Sequence, residues 1–248
     1  MMVFDIAGNE LRRMFQSPLA WVVLAAVQFL LAMFFFLLLA RYLEPNPWAA
    51  ARGLTEVVVS GTFQIAGIVL LLVSPLLTMR VFSEEQRSGT LQLLLSSPVS
   101  LTQLVLGKYL GVFAFQLCML FMIALMPLCL WLGTRLDPGI FAAGLLGLAL
   151  LLSAFAAVGL FVSTLTSQPA VAAIGGFAAL FILWILHMAG RTGGERVAET
   201  FDYLSMLRHF DSLLGGFFSS VDVVYYLLLT ALFLTLSIWR LDAARVYR

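Results

Sequence analysis

The sequence predicts an all-α integral membrane protein that crosses the bilayer six times. Three observations carry that prediction: 62% of the 248 residues are hydrophobic and only 11% charged, apolar runs of helix-spanning length recur six times, and only short polar stretches separate them. Soluble domains average roughly 45–50% apolar and 25% charged residues, so the excess has no place in a water-soluble core of this size. The 14 basic and 13 acidic residues leave a formal net charge of +1. No overall field attracts nucleic acid or an acidic substrate, and no nucleic-acid partner is expected. Cys118 and Cys129 share one apolar run; on a helix they stand about 16 Å apart along the axis, beyond the reach of a disulfide.

Residues 1–17 are the first element, an amphipathic interfacial helix. At about 100° per residue, Val3, Phe4, Ala7, Gly8, Leu11, Met14 and Phe15 share one side, and Asp5, Asn9, Glu10, Arg12, Arg13 and Gln16 take the other. Ile6 breaks the pattern. Ser17 and Pro18 suit a cap and a first helical position, so the chain turns there into the membrane. A signal peptide is the alternative, but the apolar run from Pro18 to Ala40 is too long and no small-residue cleavage pattern follows it.

Residues 18–248 form the six-span domain. A helix rising about 1.5 Å per residue needs about 20 apolar residues to cross about 30 Å of hydrocarbon, and it must satisfy its own backbone there. The runs Pro18 to Tyr42, Val57 to Met79, Tyr109 to Gly133, Ile140 to Ser163, Ala170 to Ala189 and Val223 to Trp239 meet that length. Glu44-Pro45-Asn46-Pro47, Arg135-Leu136-Asp137-Pro138-Gly139 and Thr166-Ser167-Gln168-Pro169 supply turns between them. The longest gaps are residues 80–108 and 190–222. Six crossings put both termini on one side. Eight Lys and Arg residues fall on that side against six on the other, which favours cytoplasmic termini in a cell inner membrane.

The stretch from Arg80 to Ser100 is the most informative. Ser83 and Gln86 have capping-box spacing, and Glu84 and Glu85 then stand in a first turn, where the helix dipole favours carboxylates. A short helix is expected from there to before Pro98, which biases Ser97 away from helix. It is apolar at Leu91, Leu94 and Leu95. Ser100 and Gln103 repeat the box ahead of the third span. Physical chemistry alone leaves two readings open: a membrane-surface helix whose leucines dip among the headgroups, or a docking element.

The pattern Glu-Glu-x-x-x-Gly-Thr-x-x-x-Leu-Leu-x-x-Pro-Val-Ser, Glu84 to Ser100 here, resembles the signature of ABC-2 type permeases between their second and third membrane helices. The resemblance implies a cytoplasmic coupling helix inserted in a groove of an ABC ATPase subunit, with Glu84, Glu85, Gly89, Thr90, Leu94, Leu95 and Pro98 as coupling residues. It also implies that ATP and Mg are bound by that partner, and that a second membrane subunit, identical or related, completes the pathway. The segment from Phe201, Tyr203 and Leu204 through His209 and Phe210 to Asp222 is similar to the gliding-motility GldF-like branch. There the outward segment, with short helices on the outer surface or re-entering the membrane, would gate a pathway or receive an extracytoplasmic accessory protein. A plain interfacial loop is the competing account. The function expected is that of an ATP-driven export permease for a lipid-like or amphiphilic substrate. The alternative is a transmitter of ATP-driven motion to an extracytoplasmic partner with nothing translocated.

Other chemistry is set aside on the residues themselves. Gly107-Lys108 has no second glycine five residues upstream and no Ser or Thr after the lysine, so it is no Walker A loop. No nucleotide site, and no enzyme activity, is expected in this chain. Lys108 reads as an anchor at the cytoplasmic end of the third span, and Gly107 with Gly111 as a close-packing pair. His187 and His209 have no carboxylate or cysteine at ligand spacing, and no metal site is expected. The span middles hold no Asp, Glu, Lys or Arg, unlike ion-coupled carriers, so the energy source is external. Pro75 and Pro127 can kink their helices.

Overall fold

A computed structural model of the chain describes residues 2–44, 53–91, 100–190, 201 and 203–246, without the side chains of 187, 189, 190 and 244–246. The described residues are helical with no strand. In order they form α1 (Met2–Gln16), α2 (Pro18–Leu43), a π-helical turn (Thr55–Ser60) running into α3 (Gly61–Thr78), α4 (Ser83–Ser88), and α5 (Leu101–Cys129). After α5 come α6 (Pro138–Leu165), α7 (Pro169–Gly190), α8 (Met206–Leu214) and α9 (Ser220–Val246). Six of these segments are long and apolar enough to cross a membrane.

Local chemistry sets the ends. Ser17 holds the extended backbone of an N-cap, without a side-chain bond, and Pro18 takes the first position of α2. The Ser100 box forms: its hydroxyl accepts from Gln103 N while Gln103 Oε1 accepts from Ser100 N. That cap starts α5 eight residues before the apolar run does, so the third span is longer than hydropathy implies. Asp137 Oδ1 accepts from Gly139 N at 2.8 Å and Ile140 N at 3.4 Å, ahead of which Pro138 opens α6.

The core is built on α6, which packs against α3, α5, α7, α8 and α9. Every residue from Leu151 to Leu160 is buried. Lipid gives helices no hydrophobic reason to associate, so small residues and interhelical hydrogen bonds hold them instead. Gly144 lets Phe63 of α3 approach to 2.7 Å of where a Cβ would stand, and Gly159 does the same for Thr78. Tyr109 and Ser153 hydroxyls lie 2.7 Å apart, Ser153 and Thr230 3.1 Å apart, and Gln116 donates to Ser74. These bonds tie α5, α6, α9 and α3 together.

The first helix differs from expectation. It packs along α5 more extensively than any other described pair of elements meets. The contact face is Val3, Ile6, Ala7, Glu10 and Met14, whereas Phe4 is 74% exposed. Ile6, the residue that broke the wheel, and Glu10, assigned to the polar side, are the centre of the contact. The expected pairing of Gly107 and Gly111 with close packing is seen here: Cβ atoms on them would come within 2.7 Å of Ile6 and Glu10 Cβ.

Candidate functional site

Beyond Thr78 the chain turns through Met79 to Phe82 into α4, which starts from Phe82 as N-cap. The expected Ser83–Gln86 box does not form. The Ser83 hydroxyl donates back to the Met79 carbonyl, and Gln86 Nε2 donates to Thr164 O at 2.9 Å. Both side chains are drawn to carbonyls of the long helices. This first helical stretch ends at Ser88 with Gly89 as its cap, whose φ of +74° is the left-handed conformation that favours glycine; helical backbone resumes at Thr90 and Leu91, and residues 92–99 lie outside the described ones. No heavy atom of the described residues lies within 4 Å of a Cβ built on Gly89, so among them the glycine serves the turn. Thr90 is exposed beside it, its hydroxyl 2.8 Å from Ser88 Oγ, and Leu91 is buried. Leu94, Leu95 and Pro98 lie outside the described residues.

Glu85 faces the helices of its own chain, and Glu84 reaches back to α1 from the exposed side. Lys108 of α5, 3% exposed, sends its ammonium to Glu85 Oε1 at 2.5 Å, Glu10 Oε2 at 3.2 Å and the Val81 carbonyl at 3.1 Å. Those three bonds use all three of its protons. Arg13 of α1 donates to Glu84 Oε2 at 2.7 Å and lies 3.8 Å from Glu85 and 4.0 Å from Glu10. Three carboxylates and two cations thus join α1, α4 and α5. The reading of Lys108 as an interfacial anchor is corrected: it is a buried hub. Nothing local in the sequence joins Glu10, Glu85 and Lys108; the Gly107 and Gly111 spacing marks only that some helix comes close. On the outward side of α4, Glu84 is half-exposed, and Arg87 and Ser88 are exposed.

The opposite end of the bundle is closed by α8. Phe210, fully buried, packs against Trp184 at 6.2 Å between ring centres, and its ring lies 2.9 Å from where a Cβ on Gly67 would stand. Gly67 is the seventh of the 18 residues of α3, so the Phe210 ring of α8 reaches in between the long helices. The buried face is Met206, His209, Phe210, Leu213 and Leu214. Tyr203 and Leu204, by contrast, are exposed and Phe201 is half-buried. Tyr225 and Tyr226 hydroxyls donate to the carbonyls of Leu204 and Met206 at 2.6 and 2.8 Å.

His209 makes a buried contact with a carboxylate at this end. Its Nε2 lies 2.9 Å from the Tyr203 carbonyl, which can only accept, so Nε2 bears a hydrogen. Its Nδ1 lies 2.6 Å from Asp222 Oδ1, and a single proton between them satisfies both atoms. The ring stacks on Tyr225 at 4.1 Å. The sequence comparison of ligand spacing missed this carboxylate, 13 residues away, because a chain reversal through Gly216, with φ of +80°, brings α9 back beside α8. Among the described residues no group of His, Cys, Asp and Glu has metal-binding geometry. The side chain of His187 lies outside those described.

Six apolar spans around a small-residue core, with an ion cluster at α4, define a multi-pass helical membrane protein. The chain belongs to a known family of these: the family described as ABC-2 family transporter protein matches residues 4–246. No curated protein matches it significantly. Membership makes it the membrane component of an ABC-2 transporter, a kind of subunit that generally does not hydrolyse ATP itself and that works with an ABC ATPase subunit.

Proposed function

We propose that this chain is the permease of an ATP-driven exporter, with residues 80–108 coupling hydrolysis on the partner ATPase, which holds ATP and Mg, to movement of the spans. The observation that carries the reading is the ion cluster at α4. A push on this short helix is borne by Glu85 and Glu84, and so reaches Lys108 on α5 and Glu10 and Arg13 on α1 directly. Glu84, Arg87, Ser88, Gly89 and Thr90 are the described residues that offer a surface to the ATPase, and Leu94, Leu95 and Pro98 would extend it. Glu85 acts from behind that surface. Exchange of both glutamates for lysine is expected to release the ATPase or uncouple hydrolysis from transport. Copurification with the ATPase and unaltered turnover would refute the coupling role.

The export pathway needs a second membrane subunit, identical or related, and the apolar span middles suit a lipid-like or amphiphilic cargo over ions or sugars. Both termini are proposed to face the cytoplasm of an inner membrane. In a variant lacking Cys118 and Cys129, cysteine at position 193 is expected to react with an impermeant reagent added outside, and cysteine at 87 to be shielded; the reverse pattern overturns the orientation.

A second reading is favoured by α8. A buried phenylalanine and a His–Asp pair fill the end of the bundle opposite α4, and a filled end suits a protein that passes on motion to an extracytoplasmic partner. The order Tyr203, His209, Phe210, Asp222 supports the GldF-like branch for this segment. The two readings part in proteoliposomes: cargo-stimulated ATPase with vectorial lipid movement favours export, and stimulation by a protein partner alone favours transmission.

A further inference from the structure

A groove of about 420 Å³ opens where α1 hands over to α2 beside α5. That volume is within the range of about 300–1,000 Å³ typical of ligand sites. Phe15 forms its head, Trp21 and Leu24 one wall, and Leu117, Cys118 and Phe121 the other. Its aromatic head is rigid: Trp21 Nε1 donates to the Phe15 carbonyl at 2.7 Å, and the Phe15 ring stands 5.9 Å from Trp21 and 5.1 Å from Phe115. The one indole proton is thereby used within the protein. What remains to an occupant is hydrocarbon surface. Trp21 and Phe121 are 56% and 66% exposed, on helices whose outer faces meet lipid.

The lining itself carries no charged residue, and a cation of α1 stands one helical turn from its head. Arg12 precedes Phe15 by three positions on α1, which makes the two side chains neighbours on the helix surface. Arg13 is engaged by Glu84, but Arg12 is exposed and forms no ion pair among the described residues. An exposed guanidinium one helical turn before the aromatic head of an apolar slot complements one chemistry: a phosphate joined to an acyl chain.

We propose that this groove is a binding site for an anionic glycerophospholipid, an acyl chain lying against Trp21, Leu117 and Phe121 and the headgroup phosphate on Arg12. The site is separate from the α4 cluster and does not depend on the transport reading. Native mass spectrometry of the full chain, released from equal phosphatidylglycerol and phosphatidylcholine of the same chains, tests it. The first retained lipid is expected to be phosphatidylglycerol by about five-fold, the selectivity one surface arginine gives. Arg12→Gln should bring the two to parity and Arg12→Lys should keep the preference. Cys118→Trp, which fills the groove, should lose the retained lipid, and added inorganic phosphate should not displace it. Parity in the unaltered chain, or a preference that survives both Arg12→Gln and Cys118→Trp, overturns the proposal. So does crosslinking of Cys118 between two copies in a Cys129→Ser background, which would make a second copy the occupant.

Discussion

Lys108 commits its whole ammonium group to the interior, to two carboxylates and one carbonyl. Breaking a buried ion pair from one side costs about 3–5 kcal/mol, because the other charge is left without compensation. Lys108→Met is therefore expected to lower the unfolding temperature of the detergent-solubilised protein markedly, since it strands both Glu10 and Glu85. Adding Glu10→Gln and Glu85→Gln to that variant should recover most of the loss; a triple variant no better than Lys108→Met would contradict the account. Glu84, half-exposed, is in a different position: its pair with Arg13 is worth about 0–1 kcal/mol. The sequence marked both glutamates as notable, yet their different roles were not legible. Lys108 is 98 residues from Glu10 and 23 from Glu85, and no local spacing reports a contact between three separate helices.

Helices α1 and α5 meet through two glycines that replace side-chain volume with backbone approach. At Gly111 a Cβ would stand 2.7 Å from Glu10 Cβ and 2.9 Å from the Ala7 carbonyl. Backbone cannot swing aside as a flexible side chain can, and overpacking costs about 1–3 kcal/mol. Gly111→Val is expected to lift α1 from α5, seen as faster amide hydrogen exchange across residues 3–14 with α6 unchanged. Equal exchange in both proteins would show that α1 is held by something else. Asp137, read from sequence only as part of a turn, caps α6, and Ser17 takes its cap position without a side-chain bond, whereas Ser100 with Gln103 bonds as its spacing predicts. Ser83 and Gln86 had the same spacing and did not, because Met79 and Thr164 offered their side chains carbonyls on the long helices. A short helix between long ones obeys its neighbours first. The buried face of α8 was half legible: Phe201, Leu204, Leu207, Phe210 and Leu214 recur at spacings of three and four, and Phe210 and Leu214 are buried, but the burial of His209 depends on Asp222 from the next helix.

At the scale of the molecule the six spans were plain from sequence, because hydrocarbon imposes one solution on the backbone and makes it long and apolar. What hydropathy does not carry is which helix touches which. The central place of α6 rests on its alanines, glycines and Ser153, which read as merely apolar in a window average. The position of α1 is the clearest case. Its amphipathic pattern suits a helix lying alone on the membrane, and its docked face is visible only once α5 is beside it.

That docking has a consequence for how the protein is made. The surface that receives α1 lies on the third span, so the first helix is synthesised about a hundred residues before its seat exists. Until Gly107, Lys108 and Gly111 leave the ribosome and insert, Glu10 has no ammonium to meet and Ile6 no slot. The first helix must wait at the membrane surface, where the apolar side it has before docking, Phe4, Leu11 and Phe15, can hold it among the headgroups. Stalled nascent chains ending near Met79 should therefore leave α1 open to added protease, whereas chains in which α5 has fully inserted should protect it. Equal protection at both lengths would mean that α1 finds a seat without α5. An amphipathic pattern that does not disclose the docked face of the finished fold thus describes a stage of its assembly, in which the membrane holds the place that a helix later takes.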